Sequence, residues 1–424
     1  MNGNINQKRY SKAVISPINI GLVTIRNPYI AMWWAAAFPG IPQIAMCKYL
    51  MGGILILWEF FINLNANFNL AIYYSFIGEF ELATQVLDTR WILIYIPVYL
   101  FGIWDSRRGV METNKFAILA DSFGSAENIT PTKLAWYDHN LLDKMRPRIA
   151  ALWSFILPGL GHLYINRLPT AFYVIVWVVP SVYFSNLLPS MHMTLLGQFD
   201  KATEVLDPQW LLFLPSIYGF AIFDAYLFCI KSNELYKTQQ AKYLKKSNQP
   251  KQFKSKLLSE RGNEMNIVAS FASSLYVELA INELTQSGIS KENIFAIPLD
   301  QQPRKKNVDV ITGEGIKTFE IAVSFATAFT VLGTIYGFIW TGGPVLWGLI
   351  GFAIGAILGL AFDFLIEKKE IMKKLKKGSG GEVMIVIQCE KENIKMVKDI
   401  LFDHNTLGLS EVNINSTGDK QIDV

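Results

Sequence analysis

Long apolar blocks, with charge confined between them, constrain this chain more than any other feature. Inside a bilayer no water reaches a backbone N–H or C=O, so a block near 20 apolar residues is forced into helix. Such blocks run from about Leu50 to Leu64, Trp91 to Trp104, Leu168 to Leu188, Trp210 to Ile230, Thr318 to Trp340 and Val345 to Ile366. They predict about six spans. Of 424 residues, 51% are apolar and 17% charged, a balance that excludes a disordered tail or a collagen-like repeat. Cys47, Cys229 and Cys389 show no CxxC spacing and read as reduced thiols, suggesting neither a disulfide framework nor zinc. The first twenty residues lack the apolar core and cleavage site of a removable signal peptide.

The chain is also duplicated. Sliding it by the distance from Pro28 to Pro147 aligns NPYIAMWWAAAFPG with RPRIAALWSFILPG, and IGEFELATQVLDTRW with LGQFDKATEVLDPQW. In the same register stand Pro39/Pro158, Gly40/Gly159, Asp88/Asp207 and Asp105/Asp224. Each copy opens with a short segment ending in Pro-Gly, read as a half-inserted helix. A span, an acidic amphipathic segment and a second span follow. Lys8, Arg9, Lys12 and Arg26 precede the first span, Arg107 and Arg108 follow the second, and nine Lys/Arg occupy 231–261, whereas the connections at 65–90 and 189–209 carry only Arg90 and Lys201. The positive-inside rule then makes both termini cytoplasmic and the two copies parallel.

The C-terminal third alternates differently. NIVASFA, SSLYVELAINELTQSG and IFAIPL read as strand, helix and strand, and EVMIVIQC, KENIKMVKDILFDHN and GLSEVNIN repeat that order after the last membrane hairpin. Two βαβ halves predict a cytoplasmic α+β ferredoxin-like sandwich whose central connection is the hairpin. The expected organisation is a cytoplasmic segment (1–26), repeat one (27–110), a loop (111–145), repeat two (146–230), a basic linker (231–263), a first half-domain (264–316), the hairpin (317–367) and a second half-domain (368–424). In sum, the fold class is an α-helical polytopic membrane protein joined to that α+β domain.

With Pro-Gly-x-Gly-x-x-Tyr at 158–164, Arg167 and Ile-Phe-Asp-Ala-Tyr at 222–226, the repeat resembles bacterial relatives of the two-transmembrane-helix domain family. The first copy keeps Pro39, Gly40 and Asp105 but has Pro42 and Ala45 in place of the motif's Gly and Tyr. Residues 264–424, with Gly351, Gly355 and Gly359 at four-residue spacing, resemble the glycine-zipper general stress proteins of Gram-positive bacteria. These resemblances imply a bacterial plasma membrane and a stress or sporulation context. Neither supplies a catalytic residue.

Gly351, Gly355 and Gly359 share one helix face, and Gly333 and Gly337 offer a partner face, so the hairpin helices either pack on each other or assemble around an axis with other copies. Asp363 extends the zipper face and Glu320 lies at a similar depth. Around an axis they would form cation-attracting rings; otherwise they pair with Lys317, Lys368 or Lys369 at the membrane edge. Glu59 falls near mid-membrane and needs a partner or water. Pro39, Gly40, Asp105, Pro158, Gly159 and Asp224 read as structural, the aspartates bonding to Lys48/Arg167 or to the half-inserted helix. The basic linker and the six Lys of 368–377 suit anionic lipid head groups.

Enzyme signals are poor: His139, His162, His192 and His404 show no HExxH spacing, and Gly313–Thr318 lacks that of a phosphate loop. No cofactor or metal is expected, and nucleic-acid binding is not expected because the basic clusters are juxtamembrane and the net charge is only +4. Two readings result. One is a homo-oligomeric, cation-preferring ion channel regulated by its ferredoxin-like domain. The alternative is a non-conducting scaffold or stress sensor that binds a protein partner through that domain. Secondary transport ranks third.

Overall fold

The structure, a computed structural model, describes residues 12–122, 132–136, 138–249, 264–299, 318–375 and 382–412, without the side chains of 121, 122, 264, 318, 363–375 and 412. The chain divides into two units. The first comprises residues 1–141, 145–231 and 307–372, the second 142–144, 232–306 and 373–424.

In the first unit the duplication is visible element by element. Copy one runs α1 (Pro28–Ala37), α2 (Ile41–Ala45), α3 (Tyr49–Ala66), α4 (Phe68–Phe76), α5 (Phe80–Val86) and α6 (Thr89–Ser122). Copy two runs α7 (Pro147–Ile156), α8 (Leu160–Tyr164), α9 (Leu168–Phe184), α10 (Leu187–Leu195), α11 (Phe199–Glu204), α12 (Pro208–Leu211) and α13 (Phe213–Ser247). Left-handed backbone recurs in the same register, at Gly40/Gly159, Cys47/Asn166, Asn67/Asn186 and Gly78/Gly197. A side-chain amide recurs too. Asn67 donates to the Val86 carbonyl at 3.3 Å and Asn186 to that of Val205 at 3.1 Å. The amide therefore accounts for the choice of Asn where the helix breaks. Asp88 and Asp207 accept from backbone N–H groups at the start of α6 and α12, at 2.9 and 2.8 Å, as N-caps.

The break after α3 and α9 departs from the expected uninterrupted 168–188 span: α9 stops at Phe184, and α10 leaves it at 60°. The long helices also overrun their expected ends. α6 continues through Ser122 and α13 through Ser247, into stretches read as loop and linker. Charge ends a span without ending a helix, because Lys, Glu and Gln are good helix formers. Among the described residues, four helical stretches are long and apolar enough to cross a membrane, and six if each of two bent pairs counts as one. This is the architecture of a helical membrane protein.

The two copies share an aromatic core. Phe60 stacks on Trp177 with centroids 4.3 Å apart and lies 4.4 Å from Phe213, and Trp34 approaches Phe223 at 5.3 Å. Such pairs contribute about 0.5–1.5 kcal/mol each beyond burial. Two short hairpins, β1 (Ala13–Ser16) with β2 (Asn19–Leu22) and β3 (Thr132–Leu134) with β4 (His139–Leu141), went unanticipated because three or four residues carry little periodicity. The remaining membrane element is the pair α15 (Thr318–Gly337) and α16 (Gly343–Leu375), joined by left-handed Gly342 and Gly343.

The second unit holds four antiparallel strands, β5 (Glu264–Phe271), β6 (Ile294–Pro298), β7 (Val383–Glu390) and β8 (Gly408–Val412), in the order β6-β7-β5-β8. α14 (Leu275–Gln286) joins β5 to β6 and α17 (Ile394–Asp403) joins β7 to β8. Val277, Ala280, Ile281 and Leu284 on α14 and Val397, Ile400 and Leu401 on α17 are buried at helical spacing. They meet Ile267, Ala269, Ile294, Ala296, Ile385 and Ile387, the inward-facing residues of the strands. The membrane hairpin leaves after β6 and returns into β7.

Candidate functional site

Each repeat places a turn, a basic cap and a carboxylate around the same point. The Pro39-Gly40 and Pro158-Gly159 turns reverse the chain after α1 and α7. Gly40 has φ +94°, and a Cβ there would stand 2.5 Å from the Gly52 carbonyl; at Gly159, with φ +104°, it would stand 2.5 Å from Ile175. No other residue suits both the backbone and the space.

The carboxylates then diverge. Asp224, on α13, is 1% exposed and forms an ion pair with Arg167, the N-cap of α9. His162 Nε2 from α8 lies 3.3 Å from it, and Arg26 Nη1 at the entrance to copy one lies 4.0 Å away. Both guanidiniums also donate to the Ala45 carbonyl at the end of α2, at 3.0 Å from Arg26 and 3.5 Å from Arg167. Arg167 lies 4.5 Å over the Phe228 ring. The cluster thereby ties copy one to copy two.

In copy one the same positions hold Gln43 for His162, Lys48 for Arg167 and Asp105 for Asp224. Gln43 Nε2 donates to Asp105 at 3.2 Å, and the other carboxylate oxygen takes half-exposed Arg108 at 3.0 Å. Among the described residues, Lys48 makes no ion pair with Asp105: the expected Lys48–Asp105 bond is replaced by one from the next turn of the same helix. The shifted alignment already set Gln43 opposite His162, a signal that the sequence reading passed over.

Glu59 is buried on α3 and fully engaged. Tyr95 donates to one oxygen at 2.7 Å and Asn63 to the other at 3.0 Å. Asn63 also receives Gln209 Nε2 at 2.9 Å, while Asn69 donates to the Gln209 carbonyl at 2.9 Å and Gln209 Oε1 accepts from Leu70 N–H at 2.8 Å. The network secures the α3–α4 break against α12 of the other copy. Tyr95, Asn69 and Gln209 were not singled out from the sequence, since only the fold brings 59, 95 and 209 together.

Glu320, in the first turn of α15, is 7% exposed and shares with Arg26, Asn27 and Leu227 the walls of two small cavities of about 10 and 30 Å³, room for a water rather than a ligand. The Asp363 side chain lies outside the described residues, as do Lys317 and the side chains of Lys368 and Lys369. The glycines of the hairpin face one another. A Cβ at Gly351 would lie 2.2 Å from the Phe329 carbonyl, at Gly355 2.5 Å from that of Phe325, and at Gly359 2.6 Å from Ala322 Cα. Gly333 and Gly337 meet Trp347 and Pro344 in the same way. Both small-residue faces are thus used within one chain.

In the second unit Glu382, just before β7, pairs with Lys237 and lies 3.5 Å from Lys144 Nζ. Its second oxygen accepts the Ser273 N–H at 3.1 Å. Burial alone would raise its pKa; the two ammonium groups and the N–H outweigh that and hold it below the usual glutamate range. Among the described residues no three His, Cys, Asp or Glu side chains gather as metal ligands. Comparisons of the chain with protein-family models, with curated proteins and with solved structures give no match.

Proposed function

We propose that the protein is a non-conducting membrane scaffold or sensor, in which a membrane-embedded pair of repeats carries a soluble α/β domain that binds a protein partner or another copy of itself. The observation that carries this reading is the closure of the sheet at the membrane insertion. Pro298 pairs with Val383, and Leu299 N–H donates to the Glu382 carbonyl at 2.9 Å. The strands that precede and follow the hairpin in sequence are thus paired to their ends, so the sheet is complete without it. The βαβ–βαβ connectivity and strand order support a ferredoxin-like sandwich. Lys/Arg placement supports cytoplasmic termini in a bacterial plasma membrane, and the motif resemblances support a stress or sporulation setting. The basic stretch 231–261 and the lysines of 368–377 suit anionic head groups.

Cation conduction is less well supported. Glu59 is consumed by Tyr95 and Asn63, Glu320 is buried beside Arg26, and the glycine faces are occupied within the chain. Reconstitution in liposomes tests both readings. The scaffold reading expects no cation flux above protein-free vesicles, together with specific capture of a membrane-fraction protein or self-association of the intact protein. Flux that falls in a Glu320→Gln, Asp363→Asn variant overturns it in favour of a channel.

A further inference from the structure

Beside the glycine hairpin lies a cavity of about 340 Å³. Its walls are Phe155 and Ile156 of α7, Leu187 and Met191 of α10, a run of α12 and α13 from Leu211 to Ile222, and facing residues of α15 and α16. No charged residue lines it. Two close contacts hold the surrounding helices in place: a Cβ at Gly219 of α13 would lie 2.0 Å from Thr327 Oγ1, and one at Gly348 of α16 would lie 2.7 Å from Thr334 Oγ1.

The wall chemistry selects the occupant. The polar groups on the wall are four hydroxyls, of Tyr218, Thr327, Thr330 and Thr334; those of Thr327 and Thr330 are returned to the Val323 and Ala326 carbonyls of their own helix, at 2.9 and 2.7 Å. A charged ligand would find no counter-charge, and the rest of the wall is aliphatic and aromatic, which favours an apolar occupant over water. At the rim Ile156, Met191 and Leu349 are exposed, making the cavity continuous with the apolar surface of a membrane-embedded unit.

We propose that this cavity holds one acyl chain of a bilayer lipid. A space of this size takes a stretch of a single chain and not a pair. Moving a chain out of bulk lipid brings no hydrophobic gain, and retention rests instead on dispersion contact with a wall already shaped to it.

The test uses the intact protein in phosphatidylglycerol vesicles doped with phosphatidylglycerol bearing a diazirine in mid-chain. Irradiation and peptide mapping should give adducts at Leu214, Ile222 and Phe352 about fivefold above those at Leu57 and Leu93, which are exposed on apolar helices away from the cavity. Thr330→Phe and, from the opposite wall, Ile222→Trp should each lower labelling of the remaining wall residues and leave Leu57 and Leu93 unchanged. Wild-type wall labelling no higher than at Leu57 and Leu93 overturns the proposal without reference to any variant, as does labelling that survives both fillings.

Discussion

Two equivalent aspartates show how far one residue's surroundings can diverge after duplication. Asp224 is enclosed with Arg167, His162 and Arg26, whereas Asp105 shares its charge with half-exposed Arg108. Removing one partner of a buried ion pair strands the other, at a cost of about 3 kcal/mol; Asp105 is buried too, but its ionic partner Arg108 is half-exposed and stays hydrated when the carboxylate is lost. Asp224→Asn should therefore lower the thermal unfolding midpoint in detergent far more than Asp105→Asn. Equal losses would show that the buried cluster is not what ties the repeats together. Glu382 makes a pH prediction. Its folded pKa lies below its unfolded value near 4.3, so its stabilising contribution is complete above about pH 4.3 and is lost as the pH falls through the folded value. Thermal unfolding at stepped pH should show that acid limb flattened in Glu382→Gln. A limb of unchanged slope would assign acid sensitivity to other groups.

At the scale of elements, glycine and asparagine decide where helices stop and how closely they pack. The α15–α16 hairpin has backbone against backbone at Gly351, Gly355 and Gly359. Gly355→Leu must push α16 off Phe325 and Ala326, at about 1–3 kcal/mol or more, while Ile354→Leu one position away, on an exposed side chain, should be nearly neutral. Protease resistance of the hairpin in detergent reads the difference, and similar resistance in the two variants would mean that the faces are not in contact. The four-residue spacing disclosed a small-residue face. It did not disclose which neighbour the face meets, because a helix inside the chain and one from another copy present the same periodicity.

At the scale of the molecule, the α/β unit is interrupted by a membrane hairpin without losing strand pairing at the point of insertion. Leu299 and Glu382 stand opposite each other, so an Asn-Gly pair, which suits a two-residue hairpin turn, should close β6 onto β7 directly. A chain of residues 232–299, Asn-Gly and 382–424 should fold as a soluble domain with cooperative unfolding and slow amide exchange in β5 and β7. Aggregation, or exchange as fast as in an unstructured chain, would show that the hairpin is required for the sheet. Strand alternation and helical spacing disclosed the order of strands and helices in this unit. The reach of α6 and α13 beyond their apolar segments was not legible, since helix length there follows propensity and packing rather than hydropathy.

Apolar block length, the internal repeat and strand alternation together determined that this is a helical membrane protein with strands and helices alternating on either side of its last apolar hairpin, because each depends on periodicities a chain carries whatever its neighbours. The tertiary structure alone decided which aspartate is enclosed by two arginines, that Glu59 is tied to Tyr95 and through Asn63 to Gln209, that the glycine faces meet within one chain, and that an apolar cavity lies beside them. Those outcomes depend on contacts between residues tens to more than a hundred positions apart, and no local pattern encodes the distance at which two side chains finally stand.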